Sequence, residues 1–224
     1  MPFDYASSPN LYGSADAPRA SAGVGSGKAK GKAERVLYET AAKMHSVRDA
    51  LPGSGPGGFP EPGELLRLTT FSDINALTII LRAVEVFGTV DEMYAAVYSI
   101  NQRAVAALRA LVAGGQIARA VILGSDTITW RDPARIREMW EAADAVPALR
   151  FGMADNHAKT YGFACTDAGG TEHRIVCTTS ANLASNARIE DYVITNSEAG
   201  YAHLVGWVEE IMQPLPEPIE EVET

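Results

Sequence analysis

Apolar positions follow two regimes along the chain. Up to about residue 63 they are scattered among Gly, Ala, Ser and Pro. From Glu64 onward, short apolar runs alternate with stretches of helical spacing. The first regime predicts a disordered arm over residues 1–32. "AERVLYETAAKMHSVRDAL" (33–51) has helical spacing at Val36, Leu37, Ala41, Met44 and Val47. "PGSGPGGFPEPG" (52–63) reads as a linker that suits neither helix nor strand.

The second regime predicts an ordered succession. "ELLRLTTF" (64–71) is a strand. "SDINALTIILRAVEVFG" (72–88) is a helix, with Ser72 or Asp73 as N-cap and Gly88 as terminator. "EMYAAVYSI" (92–100) is a strand and "QRAVAALRALVAGG" (102–115) a helix. "ARAVILGS" (118–125) has the unbroken apolar character of a strand buried on both faces. "DPARIREMWEAADAV" (132–146) is a helix with Asp132 as cap and Pro133 at its first position. "ALRFGM" (148–153) is a short strand. "HAKTYGFAC" (157–165) and "HRIVCTTSAN" (173–182) form a hairpin about "TDAGGT". "EDYVITN" (190–196) is a strand, and "EAGYAHLVGWVEEIM" (198–212) a final amphipathic helix. Strand–helix alternation followed by a hairpin gives an α/β fold, a mixed β-sheet flanked by helices on both faces. The expected organisation is an arm (1–32), a helix and Gly/Pro linker (33–60), one domain (61–212) and an acidic tail (213–224).

Composition narrows the class. The chain has 224 residues, with 46% hydrophobic and 21% charged content, as in a soluble globular protein. No apolar run spans a bilayer and no basic-then-apolar leader opens the chain, so a cytoplasmic site is expected and membrane partners are not. The two cysteines, Cys165 and Cys177, flank the hairpin turn. Pairing about that turn places Cys177 opposite roughly Tyr161, so no disulfide is expected. The formal net charge is −9. Residues 61–212 carry twelve bases against nineteen acids, a poor balance for holding long nucleic acid by phosphate neutralisation alone. "GSGKAKGK" is not a phosphate loop, because Ala22 stands where the first glycine belongs and Ala29 follows Lys28.

One local feature stands out. Lys159 is the only lysine after Lys43. It lies two residues beyond His157, and strand alternation puts both on one face with Tyr161 and Phe163. An ammonium beside an imidazole favours its neutral, nucleophilic form. The pair suits an anionic substrate such as a phosphodiester: nitrogen attacks phosphorus while the ammonium neutralises a non-bridging oxygen. By itself it also reads as a surface pair at a strand end. The return strand adds Ser180 and Asn182, followed by Asn186, Arg188, Glu190 and Asp191. Polar side chains closing an apolar strand mark a turn or a site rim. No metal-ligand spacing is present, so neither metal nor cofactor is expected. "YSIN" (98–101) and "GSDT" (124–127) are strand ends placed to line a cleft.

These residues resemble the signature of the phospholipase D superfamily: H-x-K, a hairpin, G-S-x-N, then an acid. Here they are His157-Ala158-Lys159, then Thr179-Ser180-Ala181-Asn182, then Glu190. The resemblance extends over roughly residues 62–212 and is nearest to the small single-motif members of phages and bacteria. Two positions depart from the pattern. The family's aspartate five residues after the lysine is Ala164, and the glycine before the serine is Thr179. The resemblance implies that His157 is the nucleophile and forms a phosphohistidine. It implies that Lys159 and Asn182 hold the non-bridging oxygens, that Ser180 supports that pocket, and that Glu190 accepts the other imidazole N–H. It further implies a metal-independent phosphodiesterase that acts on nucleic acid and shares a composite site in a homodimer. A catalytically degenerate binding or assembly protein is the alternative, and a phospholipid hydrolase ranks lower.

Overall fold

The computed structural model describes residues 51–70, 75–184 and 189–216. The arm, all but the last residue of the 33–51 segment, and Asn186 and Arg188 lie outside them. So do Ser72 and Asp73, and the end of the acidic tail.

Eight strands form one mixed sheet: β1 (Leu65–Thr70), β2 (Val90–Val97), β3 (Ala120–Ser125), β4 (Leu149–Ala154), β5 (Lys159–Thr166), β6 (Glu172–Thr179), β7 (Glu190–Asn196) and β8 (Gln213–Pro214). Their order is β1-β7-β6-β5-β2-β3-β4-β8. The block β2-β3-β4 is parallel, and every other neighbouring pair is antiparallel. The helices are α1 (Ala76–Phe87), α2 (Gln102–Ala113), α3 (Thr127–Arg131), α4 (Pro133–Ala145) and α5 (Glu198–Ile211).

Side-chain alternation sorts the two faces. From β5, Tyr161, Phe163 and Cys165 enter the larger core, which α1, α2 and α4 cover with residues such as Ile80, Leu108 and Met139. Ala164 of β5, with Val121 and Leu123 of β3, joins a smaller core under Tyr201, Leu204 and Val208 of α5. Glu209 of α5 accepts from Tyr94 Oη at 2.9 Å and pairs with Arg119 and Arg150 at 3.1 Å each.

α5 lies close to the sheet because β5 carries Gly162. A Cβ built there would stand 2.6 Å from Leu204 Cδ2 and 3.1 Å from the Tyr201 ring. Gly162→Val is therefore expected to cost about 1–3 kcal/mol by overpacking. Urea denaturation of the variant should show a lower midpoint, and an unchanged midpoint would contradict this packing.

The elements depart from expectation at several points. The first domain helix starts at Ala76 and is capped by Asn75, downstream of the expected caps Ser72 and Asp73: Asn75 Oδ1 accepts from Thr78 N at 3.1 Å, and Thr78 Oγ1 from Asn75 N at 3.3 Å, a reciprocal cap. The Gly/Pro segment is built into the domain rather than hung from it. It contains a 3-10 turn at Pro56–Gly58, its Phe59 is fully buried, and Arg82 donates to Gly57 O at 2.9 Å. The short helix α3 was not foreseen. β8, at the start of the expected tail, pairs with β4. Asp132 and Pro133 begin α4 as expected, with Asp132 Oδ1 accepting from Arg135 N. Cys177 faces Tyr161 in the register, and both cysteines are free thiols.

Candidate active site

Topology gathers the chemistry at one end of the sheet. β1, β2, β3, β4 and β6 run one way; β5 and β7 run the other. The residues after β2, β3, β4 and β6 therefore share an end with the starts of β5 and β7. That end carries Tyr98 and Ser99, α3, Asn156 and His157, Lys159, Ser180 and Asn182, and Glu190. It includes the seam where the parallel block meets β5, and the carboxyl ends of parallel strands are where open α/β sheets bind ligands.

His157 precedes β5 rather than sitting in it. Asn156 fixes this loop: Nδ2 donates to Gly124 O at the end of β3 (2.9 Å), and Oδ1 accepts from Ala158 N (3.1 Å). The His157 side chain is exposed and stacks on Tyr98, with ring centroids 4.4 Å apart at 47°. Lys159 opens β5, paired with Val97. Its Nζ lies 3.2 Å from His157 Nδ1, donates to His157 O at 3.1 Å, and stands 5.5 Å from the Tyr98 ring centroid. With a cationic ammonium as donor, Nδ1 is the acceptor and Nε2 carries the imidazole proton.

The segment after β6 is pinned beside them. Asn101 N donates to Leu183 O at 2.9 Å, and Tyr161 Oη to Ala181 O at 3.0 Å. Burial holds the Tyr161 phenol well above its ordinary pKa, so it remains a donor. Asn182 Oδ1 accepts from Ser99 N at 3.2 Å, next to Tyr98, which leaves the amide nitrogen as the donor for a ligand. Thr179, where a glycine is expected, bends the chain by another means: its Oγ1 accepts from Ala181 N at 3.0 Å.

Glu190 is placed differently from its expected role. It is buried, and its carboxylate accepts from Ser180 Oγ. No hydrogen bond joins it to His157. Ser180 Oγ also accepts from Asp191 N at 3.1 Å, so serine and glutamate brace the joint between β6 and β7. The Asp191 carboxylate turns to Arg67 of β1 at 3.0 Å. Ala164 lies in the apolar core under α5, directly opposite Arg174 of β6 in the register. Among the described residues, no three His, Cys, Asp or Glu side chains cluster as metal ligands. No described helix is long and apolar enough to cross a membrane.

Sequence reasoning missed Arg131 and Trp130 of α3, and the anchoring role of Asn156. Arg131 donates to Tyr98 Oη at 2.7 Å, and its guanidinium carbon lies 4.8 Å from the Trp130 ring centroid. "TITWRDP" carried a usable signal, a tryptophan and an arginine together just past an apolar strand.

No protein-family model and no curated protein matches the chain. Among solved structures, polyphosphate kinase from Porphyromonas gingivalis is similar in fold, with a TM-score of 0.51 and 14% identity. The match covers 68% of this chain and 27% of the kinase chain. The likeness is one of fold: a mixed α/β sheet with flanking helices, consistent with the architecture expected from the sequence.

Proposed function

We propose that the protein is a metal-independent phosphodiesterase that cleaves nucleic acid through a phosphohistidine at His157, in a site completed by a second copy of the chain. The observation that carries this reading is the contact of Lys159 Nζ with His157 Nδ1 at the ligand-binding end of the sheet. A nucleophile and a cation for phosphoryl oxygen stand together there, with the Asn182 amide held nearby by Ser99. The likeness to a phosphotransferase is of fold and agrees with phosphoryl chemistry.

The reaction has two steps. A His157 nitrogen bonds phosphorus and the P–O bond to the leaving group breaks; the departing oxygen takes a proton from the second subunit's imidazole. Water then attacks phosphorus, that imidazole takes the water proton, and the P–N bond breaks. Lys159 and Asn182 stabilise the non-bridging oxygens. Ser180 and Glu190 hold the strand joint beside them.

Bis(p-nitrophenyl) phosphate tests the chemistry. Turnover is expected to persist in EDTA and to vanish in His157→Ala. Folded protein with no turnover on several phosphodiesters would favour the binding or assembly protein, and turnover abolished by EDTA would favour a metal mechanism.

A further inference from the structure

We propose that Trp130 and Arg131 form a stacking platform for a nucleobase of a single-stranded nucleic acid whose phosphate occupies His157 and Lys159. This rests on the phosphodiesterase reading and adds the substrate's form.

The first observation is exposure. Trp130 is 66% exposed, the largest value among the exposed large hydrophobic side chains of the described residues. Trp140, by contrast, is tied down by donating to Pro216 O at 2.7 Å. Single exposed apolar side chains are ordinary on a protein surface; what sets this indole apart is its position on α3, at the end of the sheet that carries His157.

The second is continuity with the phosphate site. Trp130 meets the Arg131 guanidinium at 4.8 Å, that guanidinium lies 5.9 Å from the Tyr98 ring centroid, and Tyr98 stacks on His157 at 4.4 Å. Chained together, these contacts put the indole no more than about 15 Å from the imidazole. A strand stacked at ~3.4 Å per step covers that span in about five steps, and a more extended strand covers it in fewer. Arg131 is held in place by its bond to Tyr98 Oη, so it is oriented before a ligand arrives.

The third is the mixture of chemistries. Aromatic rings interleaved with cations are how single strands are held without sequence preference: bases stack, and cations track the backbone. A paired duplex keeps its bases inside and offers the indole no ring face. An acidic chain that cannot grip nucleic acid by net charge gains affinity here from stacking.

The test is binding, measured by fluorescence anisotropy in the His157→Asn background so that the ligand survives. The probes are an oligothymidylate of about ten nucleotides and an abasic strand with the same number of phosphates. The base-bearing strand should bind more tightly. Trp130→Ala should weaken it by roughly 5- to 150-fold, the worth of one base–aromatic stack. Affinity for the abasic strand should hold, and Trp130→Phe should restore most of the loss. Equal binding of the two probes, or equal weakening of both by Trp130→Ala, overturns the platform. Self-association lost in Trp130→Ala, without any base dependence, also overturns it and assigns the indole to a protein contact. Hydrolysis of bis(p-nitrophenyl) phosphate by the unsubstituted chain is scored separately. Its absence, with base-dependent binding intact, sinks the phosphodiesterase reading and leaves the platform standing as a strand-binding site.

Discussion

Lys159→Ala is expected to lower phosphodiester turnover by about 10²–10³-fold, the scale of one lost oxyanion donor. The ammonium has two hydrogen-bond partners, His157 Nδ1 and His157 O. Both are neutral acceptors. An incoming phosphate offers anionic oxygens, and charge-assisted bonds are roughly twice as strong as neutral ones. Lys159 would therefore leave the imidazole for the phosphoryl group, releasing the Nδ1 lone pair as the charge it must stabilise arrives. The variant should remain folded, because Lys159 sits at the open start of β5, short of the core residues Tyr161 and Phe163. Loss of kcat with a near-normal melting curve supports this role. An unchanged kcat would return His157 and Lys159 to an ordinary surface pair. Lys159→Arg separates charge from geometry: a guanidinium keeps the charge, but its planar fork fits a different oxygen arrangement.

The fold was legible where the physics is local. Alternation and apolar runs located the strands, because a buried face imposes its period on the residues that fill it. Asp132-Pro133 announced α4, since a capping carboxylate followed by a residue without an N–H is a start signal in itself. The register of Cys177 against Tyr161 followed from the turn. What escaped notice depends on distant partners. The Gly/Pro segment reads as linker because its fixing contacts, Phe59 in the core and Arg82 on Gly57 O, come from packing against α1 and the sheet. The cap at Asn75 was passed over in favour of two equally good capping residues just upstream. α3 is five residues long, too short to show a period.

The site was legible in composition and less so in wiring. His157, Lys159, Ser180, Asn182 and Glu190 do reach one end of the sheet. Which group touches which is set by strand direction and by the loop after β4, and neither is written in the motif. Glu190 illustrates this. Its place after Asn182 suggested an imidazole partner, yet the antiparallel joint of β6 and β7 sets it against Ser180. Asn156 is the converse: a loop asparagine with no motif value, it anchors the loop that carries His157 to the end of β3.

The protein is expected to be a homodimer of about 48 kDa, twice the 23.9 kDa chain, with activity that falls on dilution below its dissociation constant. The reason is a missing acid. In the proposed reaction one imidazole attacks phosphorus, and a second group must protonate the leaving oxygen. His173 cannot serve. It is buried at the opposite end of the sheet, beside the Asp167 turn, with Nε2 3.1 Å from Asp167 Oδ2 and Nδ1 2.9 Å from Asn196 Nδ2. His203 lies on α5, which covers the face opposite that of Tyr161. Neither has a lysine two residues on, and nor does His45. A two-fold axis through the cleft brings identical surfaces together and supplies the second His157–Lys159 pair. The contact should be made by the open end of the β5–β6 hairpin, because its turn points away from the site. Light scattering at assay concentration gives the mass, and specific activity across a dilution series gives the coupling. A monodisperse 24 kDa species with undiminished activity would remove the shared site, and the proton donor would then have to be found within one chain.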